Sequence, residues 1–248
     1  MNLRYSVLFL GWMLVMLVAC KQNKDTPPSP VQKEYSAKPI SIKNLYLEDA
    51  VKILYDGSYL TGPDEILNHY TKNPMDVKDS RIFIDLIANE KKGLTYEMSE
   101  IIDANDLKYQ QILIWKDTDT LRHQAFEHIA PKRKADVDLS EINASREQWM
   151  ELCNAHNSKD LIHKMYSENT LYYNHKPMVV GREELVKEYD YMNRANYKLT
   201  LKPIIVEVVN EDCVFEIGQC EGSYNGKYII VWRKDFSEKW EVFIDSNI

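Results

Sequence analysis

The sequence repeats itself at long range, and this repeat constrains the fold more than any local pattern. Gly62-Pro63-Asp64-Glu65-Ile66-Leu67 matches Gly181-Arg182-Glu183-Glu184-Leu185-Val186 at an offset of 119. Glu97 in YEMSE and Glu216 in FEIGQ also match at 119, as do Lys108-Tyr109 and Lys227-Tyr228, and Trp115 pairs with Trp232 at 117. A near-constant offset over separated blocks is the mark of a head-to-tail duplication, in which each copy builds the same unit. The expected division is a first domain at 43–131, a linker at 132–139 and a second domain at 140–248.

What precedes the first copy reads as an address. After Arg4 comes an apolar run of about 13 residues, VLFLGWMLVMLVA, shorter than the roughly 20 a spanning helix needs and suited to a signal peptide over residues 1–19. Leu17-Val18-Ala19-Cys20 resembles the lipobox of bacterial lipoproteins. The resemblance implies cleavage before Cys20, acylation of Cys20 with palmitate-like chains, and attachment to the bacterial membrane by more than one chain. Residues 20–42 are rich in Lys, Pro, Ser and Asn and read as a flexible tether. Lys21 stands where an aspartate is associated with inner-membrane retention, so the expected location is the cell envelope, on the outer membrane facing the periplasm.

Charge excludes one class of partner. The net charge of −7, with Lys132-Arg133-Lys134 as the longest basic cluster and Asp136 and Asp138 beside it, argues against nucleic acid. With Cys20 assigned to lipid, Cys153, Cys213 and Cys220 remain, an odd number that does not suggest a disulfide framework. They read as small buried hydrophobes, and no spacing suggests a metal site or other cofactor.

The second copy is the fuller one. SREQWMELCNAH sets Trp149, Leu152, Cys153 and His156 at helical spacing, with Asn143 or Ser145 as N-cap, and a short helix follows over 160–167. TLYYNHKPMVVG is a short extended stretch whose Pro177 keeps it from being a central strand. REELVKEYDYMNRA is a third helix with Leu185, Val186, Tyr189 and Met192 on one face, and the chain closes in long strands. Helices first and then an antiparallel meander make an α+β arrangement, repeated in tandem, in which the helices cover one face of the sheet.

The ordered series HNSKDLIHKMYSEN, Pro177 with GREEL, FEIGQCEG, GKYIIVWRK and KWEVFID resembles the nuclear-transport-factor-2-like superfamily, particularly its SnoaL-like branch. The likeness covers 143–248 well and 43–131 less well. It implies two tandem cone-shaped domains, each a curved antiparallel sheet covered by helices, with an interior that is a pocket for an apolar ligand with a few polar fixings. It also implies dimerisation of some relatives through the sheet's outer face, and a mixture of isomerases, cyclases and proteins without catalysis. The first copy departs from the pattern: its counterpart of the opening helix would fall in the Pro-rich tether, where no amphipathic helix can be written. The first domain is therefore expected to lack that helix and to pack against the second domain or another molecule to cover its apolar surface.

Candidate site residues follow from facing. With Phe215 and Ile217 pointing into the cone, Gln219 and Glu221 line its interior or mouth, and Glu216 points outward with its counterpart Glu97. His156 ends the first helix, and His175 sits in the loop after Tyr173, itself a candidate pocket residue; each histidine can reach the pocket or lie at the surface. Trp149 and Trp232 serve as pocket wall or core. Asp245, in VFIDS, lies near a position where some relatives place an acid. Two functions remain open: a lipid-anchored protein that binds a small apolar or amphipathic ligand or mediates assembly without catalysis, or an isomerase, cyclase or hydrolase with Asp245 or His156 as general base.

Overall fold

The computed structural model describes residues 42–119, 121–174 and 177–248. The signal segment, Cys20, most of the tether and His175 lie outside the described residues.

In the first half a 3₁₀ turn at Ile42–Leu45 leads into β1 (Tyr46–Ile53), β2 (Tyr59–Thr61), α1 (Gly62–Lys72), β3 (Val77–Asn89), β4 (Leu94–Asp103), β5 (Lys108–Asp117) and β6 (Arg122–Lys132). The second half runs α2 (Leu139–Asn154), α3 (Ser158–Met165), β7 (Tyr166–Tyr172), β8 (Val179–Val180), α4 (Arg182–Glu188), β9 (Leu199–Asn210), β10 (Cys213–Gly222), β11 (Lys227–Lys234) and β12 (Trp240–Asn247). The two six-stranded sheets have the same order, β2-β1-β6-β5-β4-β3 and β8-β7-β12-β11-β10-β9. Each is mixed, because the first strand of a half runs parallel to its last, β1 beside β6 and β7 beside β12. The architecture is α+β, two tandem cones, the first without an opening helix among the described residues.

Strand register sets equivalent positions of the two sheets in matching rows. One row across the first sheet reads Glu97, Leu113, Glu127, Lys52. The matching row of the second reads Glu216, Ile230, Asp245, Tyr172. Gly62 and Gly181 open α1 and α4 with φ of 79° and 84°, a left-handed turn that a β-carbon would strain. The Lys108-Tyr109 match, in contrast, is not a structural one. The β10–β11 ladder begins at Gln219 opposite Lys227, whereas β4 and β5 pair out to Ile102 opposite Lys108, so Tyr228 occupies the place of Gln111.

The opening helix of the second half starts earlier than its inner Asn and Ser suggest. Asp138 caps it, accepting the amide of Ser140, and Asn157 caps α3 by accepting the amide of Asp160. Among the described residues the first half has no counterpart of α2 or α3. Its concave side is closed by α1 and by a network of polar side chains around Glu127.

The outer faces of the two sheets cover one another. Tyr96, Met98, Ile112, Ile114 and Phe126 of the first half share one core with Phe215, Ile217, Ile229, Val231 and Phe243 of the second. Each such side chain contributes about 1.5–3 kcal/mol when fully buried. Polar contacts lock the rim: Lys132 pairs with Glu207 at 2.6 Å, Asn210 donates to the carbonyl of Pro131, and the Arg233 guanidinium lies against the rings of Phe243 and Tyr55 at 3.8 and 4.4 Å. The outer sheet face from which the resemblance implied a homodimer is thus occupied within the chain. A second core, inside the cone, holds Trp149, Leu161, Tyr166, Leu185, Tyr189, Val214 and Trp232. Cys213 lies in the shared core and Cys220 in the cone, on opposite faces of β10, and both are free, as is Cys153.

Candidate functional site: a tyrosine-walled cavity over Asp245

The cone of the second half encloses a cavity of about 650 Å³ between the sheet, α2 and the turn that follows α4. Trp149 reaches it from α2, Tyr172 from β7, Tyr189, Tyr191 and Met192 from the end of α4 and its turn, and Asp245 from β12. Strand alternation places Asp245 inside: it shares a row with Ile230 and Tyr172, whose side chains also line the cavity.

Asp245 is 4% exposed. Its Oδ2 accepts the hydroxyls of Tyr189 at 2.6 Å and Tyr166 at 2.7 Å. Trp149 Nε1 donates to Tyr166 Oη at 2.9 Å, Asn247 Nδ2 donates to Tyr189 Oη at 3.3 Å, and Tyr172 Oη donates to Asn247 Oδ1 at 2.7 Å. The rings of Tyr166, Tyr172 and Tyr191 each meet Tyr189 edge to face, the arrangement the ring quadrupole favours. Burial pushes the Asp245 carboxyl up to about 6, against the opposing hydrogen bonds of Tyr189, Tyr166 and the Ser246 amide. Burial likewise holds the tyrosine hydroxyls protonated, with the Asp245 charge adding to the effect at Tyr166 and Tyr189.

The raised carboxyl has a stability cost with a definite sign. Between about pH 4 and 6 the folded chain holds a proton on Asp245 that the unfolded chain has lost, so this group's contribution to stability falls as pH rises through that window and is flat above it. At ~1.4 kcal/mol per pH unit the ionised form costs the fold about 3 kcal/mol. Asp245→Asn is therefore expected to be more stable than the parent by about 1–3 kcal/mol at pH 7.5, with the gap vanishing near pH 4. Urea unfolding of both proteins from pH 4 to 8 measures this; a gap that does not change with pH would show that Asp245 is not held near 6.

Below the cavity floor lies a second buried acid. Glu216, fully buried, accepts Arg146 Nε and Nη2 at 2.7 Å each, Tyr228 Oη at 2.6 Å and Trp232 Nε1 at 2.9 Å. Tyr228 reaches it by lying across Gly218, where any β-carbon would stand 2.2 Å from the ring. Glu216 thus points into the cone, correcting its outward assignment; so does Glu97, which accepts Trp115 Nε1 at 2.9 Å.

Of the candidate site residues that are described, Trp149 and Asp245 line the cavity; Gln219, Glu221, Trp232, Tyr173 and His156 do not. Gln219 spans the hairpin, donating to the carbonyls of Cys220 and Gly226, and Glu221 is exposed and paired with Lys202 at 2.6 Å. Their facing is the reverse of that expected because Phe215 and Ile217 point away from the cone, into the core shared with the first half. Trp232 is buried on Glu216 beneath the cavity. Tyr173 points to the first half, its hydroxyl on the carbonyl of Ala125, since Tyr172 takes the inward position. His156 follows the end of α2 with φ of 59°, and the turn carries it away from the cavity. The tyrosines around Asp245 were missed, although Tyr172-Tyr173 and the run YDYMNRANY put several of the chain's 16 tyrosines close together. Among the described residues no group of three His, Cys, Asp or Glu side chains is placed to hold a metal ion.

No family model and no curated protein matches the chain. Solved structures similar to it include an NTF-2-like protein of unknown function from Shewanella oneidensis, at 11% identity and TM-score 0.40, covering 44% of this chain and 96% of that one. A ketosteroid isomerase-like protein from Erwinia carotovora atroseptica is similar at 17% identity and TM-score 0.37, covering 44% and 95%. A domain of unknown function with a cystatin-like fold from Nostoc punctiforme is similar at 16% identity and TM-score 0.38, covering 46% and 78%.

Proposed function

We propose that this chain is a lipid-anchored cell-envelope protein whose second half binds a small amphipathic molecule in the cavity over Asp245. One observation carries the binding reading: a 650 Å³ space walled by aromatic rings ends on a carboxylate that is 4% exposed. Apolar walls with a few fixed polar groups are the usual composition of a small-molecule site. Anchoring rests on Leu17-Val18-Ala19-Cys20 and the polar stretch behind it, which would hold the folded part off an outer-membrane surface facing the periplasm.

A second reading, proton transfer with Asp245 as general base, is favoured by the carboxyl's elevation to about 6, which suits a base working near neutrality. Geometry weighs the other way. Both nearby tyrosine hydroxyls are committed to Asp245 Oδ2 and that of Tyr172 to Asn247, so none of the three stands free to receive charge developing on a substrate oxygen.

Uptake of N-phenyl-1-naphthylamine, an uncharged apolar fluorophore, tests the site in the full chain. The expected result is saturable 1:1 binding that Cys220→Trp, which fills the cavity, weakens at least about tenfold. Binding unchanged by that substitution would remove the cavity as the site. Mass spectrometry of the same membrane-extracted protein is expected to begin at an acylated Cys20; an unmodified Met1 would remove the anchor.

A further inference from the structure

The duplicated rows say what the second site lacks. In the first half Glu127 accepts Tyr70 Oη at 2.6 Å; in the second Asp245 accepts Tyr189 Oη at 2.6 Å. The two acids hold the same place on the closing strand, opposite Leu113 and Ile230, and the two tyrosines lie at an offset of 119. The neighbour on the parallel strand differs: Lys52 in the first half, Tyr172 in the second. The Lys52 ammonium stands 3.0 Å from Glu127 Oε2 and 4.6 Å from the centre of the Tyr70 ring. The first half thus carries its own cation on the carboxylate and the tyrosine face. In the second half no Lys or Arg among the described residues pairs with Asp245, and the cavity opens beside it. Of the charged side chains lining that cavity, Glu188 is a second acid and Arg194 is exposed.

We infer that the cavity takes an organic ammonium: a protonated or quaternary amine seated on Asp245, with its apolar body among the rings of Trp149, Tyr172, Tyr189, Tyr191 and Tyr197. A buried carboxylate is stabilised by a desolvated cation, and tyrosine faces attract one through the ring quadrupole. This rests on the cavity being a ligand site and adds the charge of the ligand.

The probes are three molecules of similar size, 2-phenylethylammonium, 2-phenylethanol and 3-phenylpropionate, titrated calorimetrically into the full chain at pH 7.5. The ammonium is expected to bind at least about tenfold more tightly than the alcohol, and the carboxylate more weakly than either. Tyr172→Lys, which copies the first half's Lys52, is expected to abolish ammonium binding while the protein still melts cooperatively. Asp245→Asn is expected to bring the ammonium-to-alcohol ratio near one. Equal affinity for the ammonium and the alcohol in the parent, or an ammonium preference unchanged in both variants, would overturn the inference and leave the cavity reading standing. Failure of all three probes while the naphthylamine still enters overturns it as well, and exclusion of the naphthylamine overturns both.

Discussion

Replacing Arg146 by methionine is expected to lower the unfolding free energy by about 3–5 kcal/mol, a fall of roughly 6–20 °C in the thermal midpoint for a chain of this size. Arg146 sits on α2, 5% exposed, and its guanidinium meets both oxygens of Glu216 while Nη1 donates to Asn143 at 2.8 Å. Methionine retains much of the volume and deletes the charge. Glu216 then keeps Tyr228 and Trp232 as neutral donors, which cannot offset the desolvation of a fully buried carboxylate. The same substitution also removes one of the polar ties of α2 to the sheet, leaving those of Trp149 to Tyr166, Asn154 to Leu199 and Glu141 to Trp240. Arg146→Lys is expected to recover part of the loss, because an ammonium restores the charge without the two-pronged geometry. Adding Glu216→Gln to Arg146→Met is expected to restore more than half. A loss below about 1 kcal/mol on calorimetric unfolding would place the pair among those whose attraction merely balances their desolvation. In the first half Glu97 accepts Trp115 Nε1 and Ser99 Oγ, and the cation it meets is Arg122, at 3.8 Å, a residue of β6 that chiefly serves Asp85 and Asp117 at the rim. Among the described residues no helix supplies Glu97 with an arginine, and the weaker contact comes from a strand.

The duplication and the order of elements could be read from the residues because each depends on spacing along the chain. Gly62 and Gly181 punctuate the same strand-to-helix turn. Facing could not be read in the same way. In most antiparallel sheets one side meets solvent, and alternation then reveals the inside. Here Phe215, Ile217 and Cys213 face one core and Val214 and Cys220 face another, so β10 is apolar on both sides, and the buried Glu216 resembles an outward charge. The whole candidate pocket on that strand inherited the inversion. The facing of Asp245 could not be read for the same reason, with Phe243 and Ile244 beside it at a bulge. The tyrosine wall was invisible for a different reason: Tyr166, Tyr172 and Tyr189 converge through a parallel strand pairing and a crossover helix, and no local period records that.

The two halves solve one problem in two ways, and Lys52→Met distinguishes them. Both rows bury an acid on the closing strand under a tyrosine. Lys52 and Glu127 are 2% and 1% exposed at the side chain. Burial alone would raise the Glu127 carboxyl, but the Lys52 charge together with hydrogen bonds from Tyr70, Lys52 and Gln111 outweighs it and holds the group below its ordinary value. Gln124 adds a further donor at 3.0 Å. Because the folded pKa is depressed, this carboxylate contributes stability that is present above its unfolded pKa and lost as pH falls through the folded one. Lys52→Met removes the ammonium and is expected to cost about 3–5 kcal/mol at pH 7.5, since the uncompensated charge stays buried. The sign of the linkage then reverses: burial dominates, the carboxyl rises, and the variant regains stability on acidification relative to the parent, so the gap between them narrows toward pH 4. Lys52→Met with Glu127→Gln is expected to lie within about 1.5 kcal/mol of the parent across the range, because an amide still accepts from Tyr70 and carries no charge to desolvate. Urea unfolding of parent, single and double variants between pH 4 and 8 measures all three. A single variant with a constant deficit, unmoved by the second substitution, would mean that Lys52 acts by packing its alkyl stem rather than by neutralising Glu127. The first copy could then no longer indicate which charge Asp245 is missing.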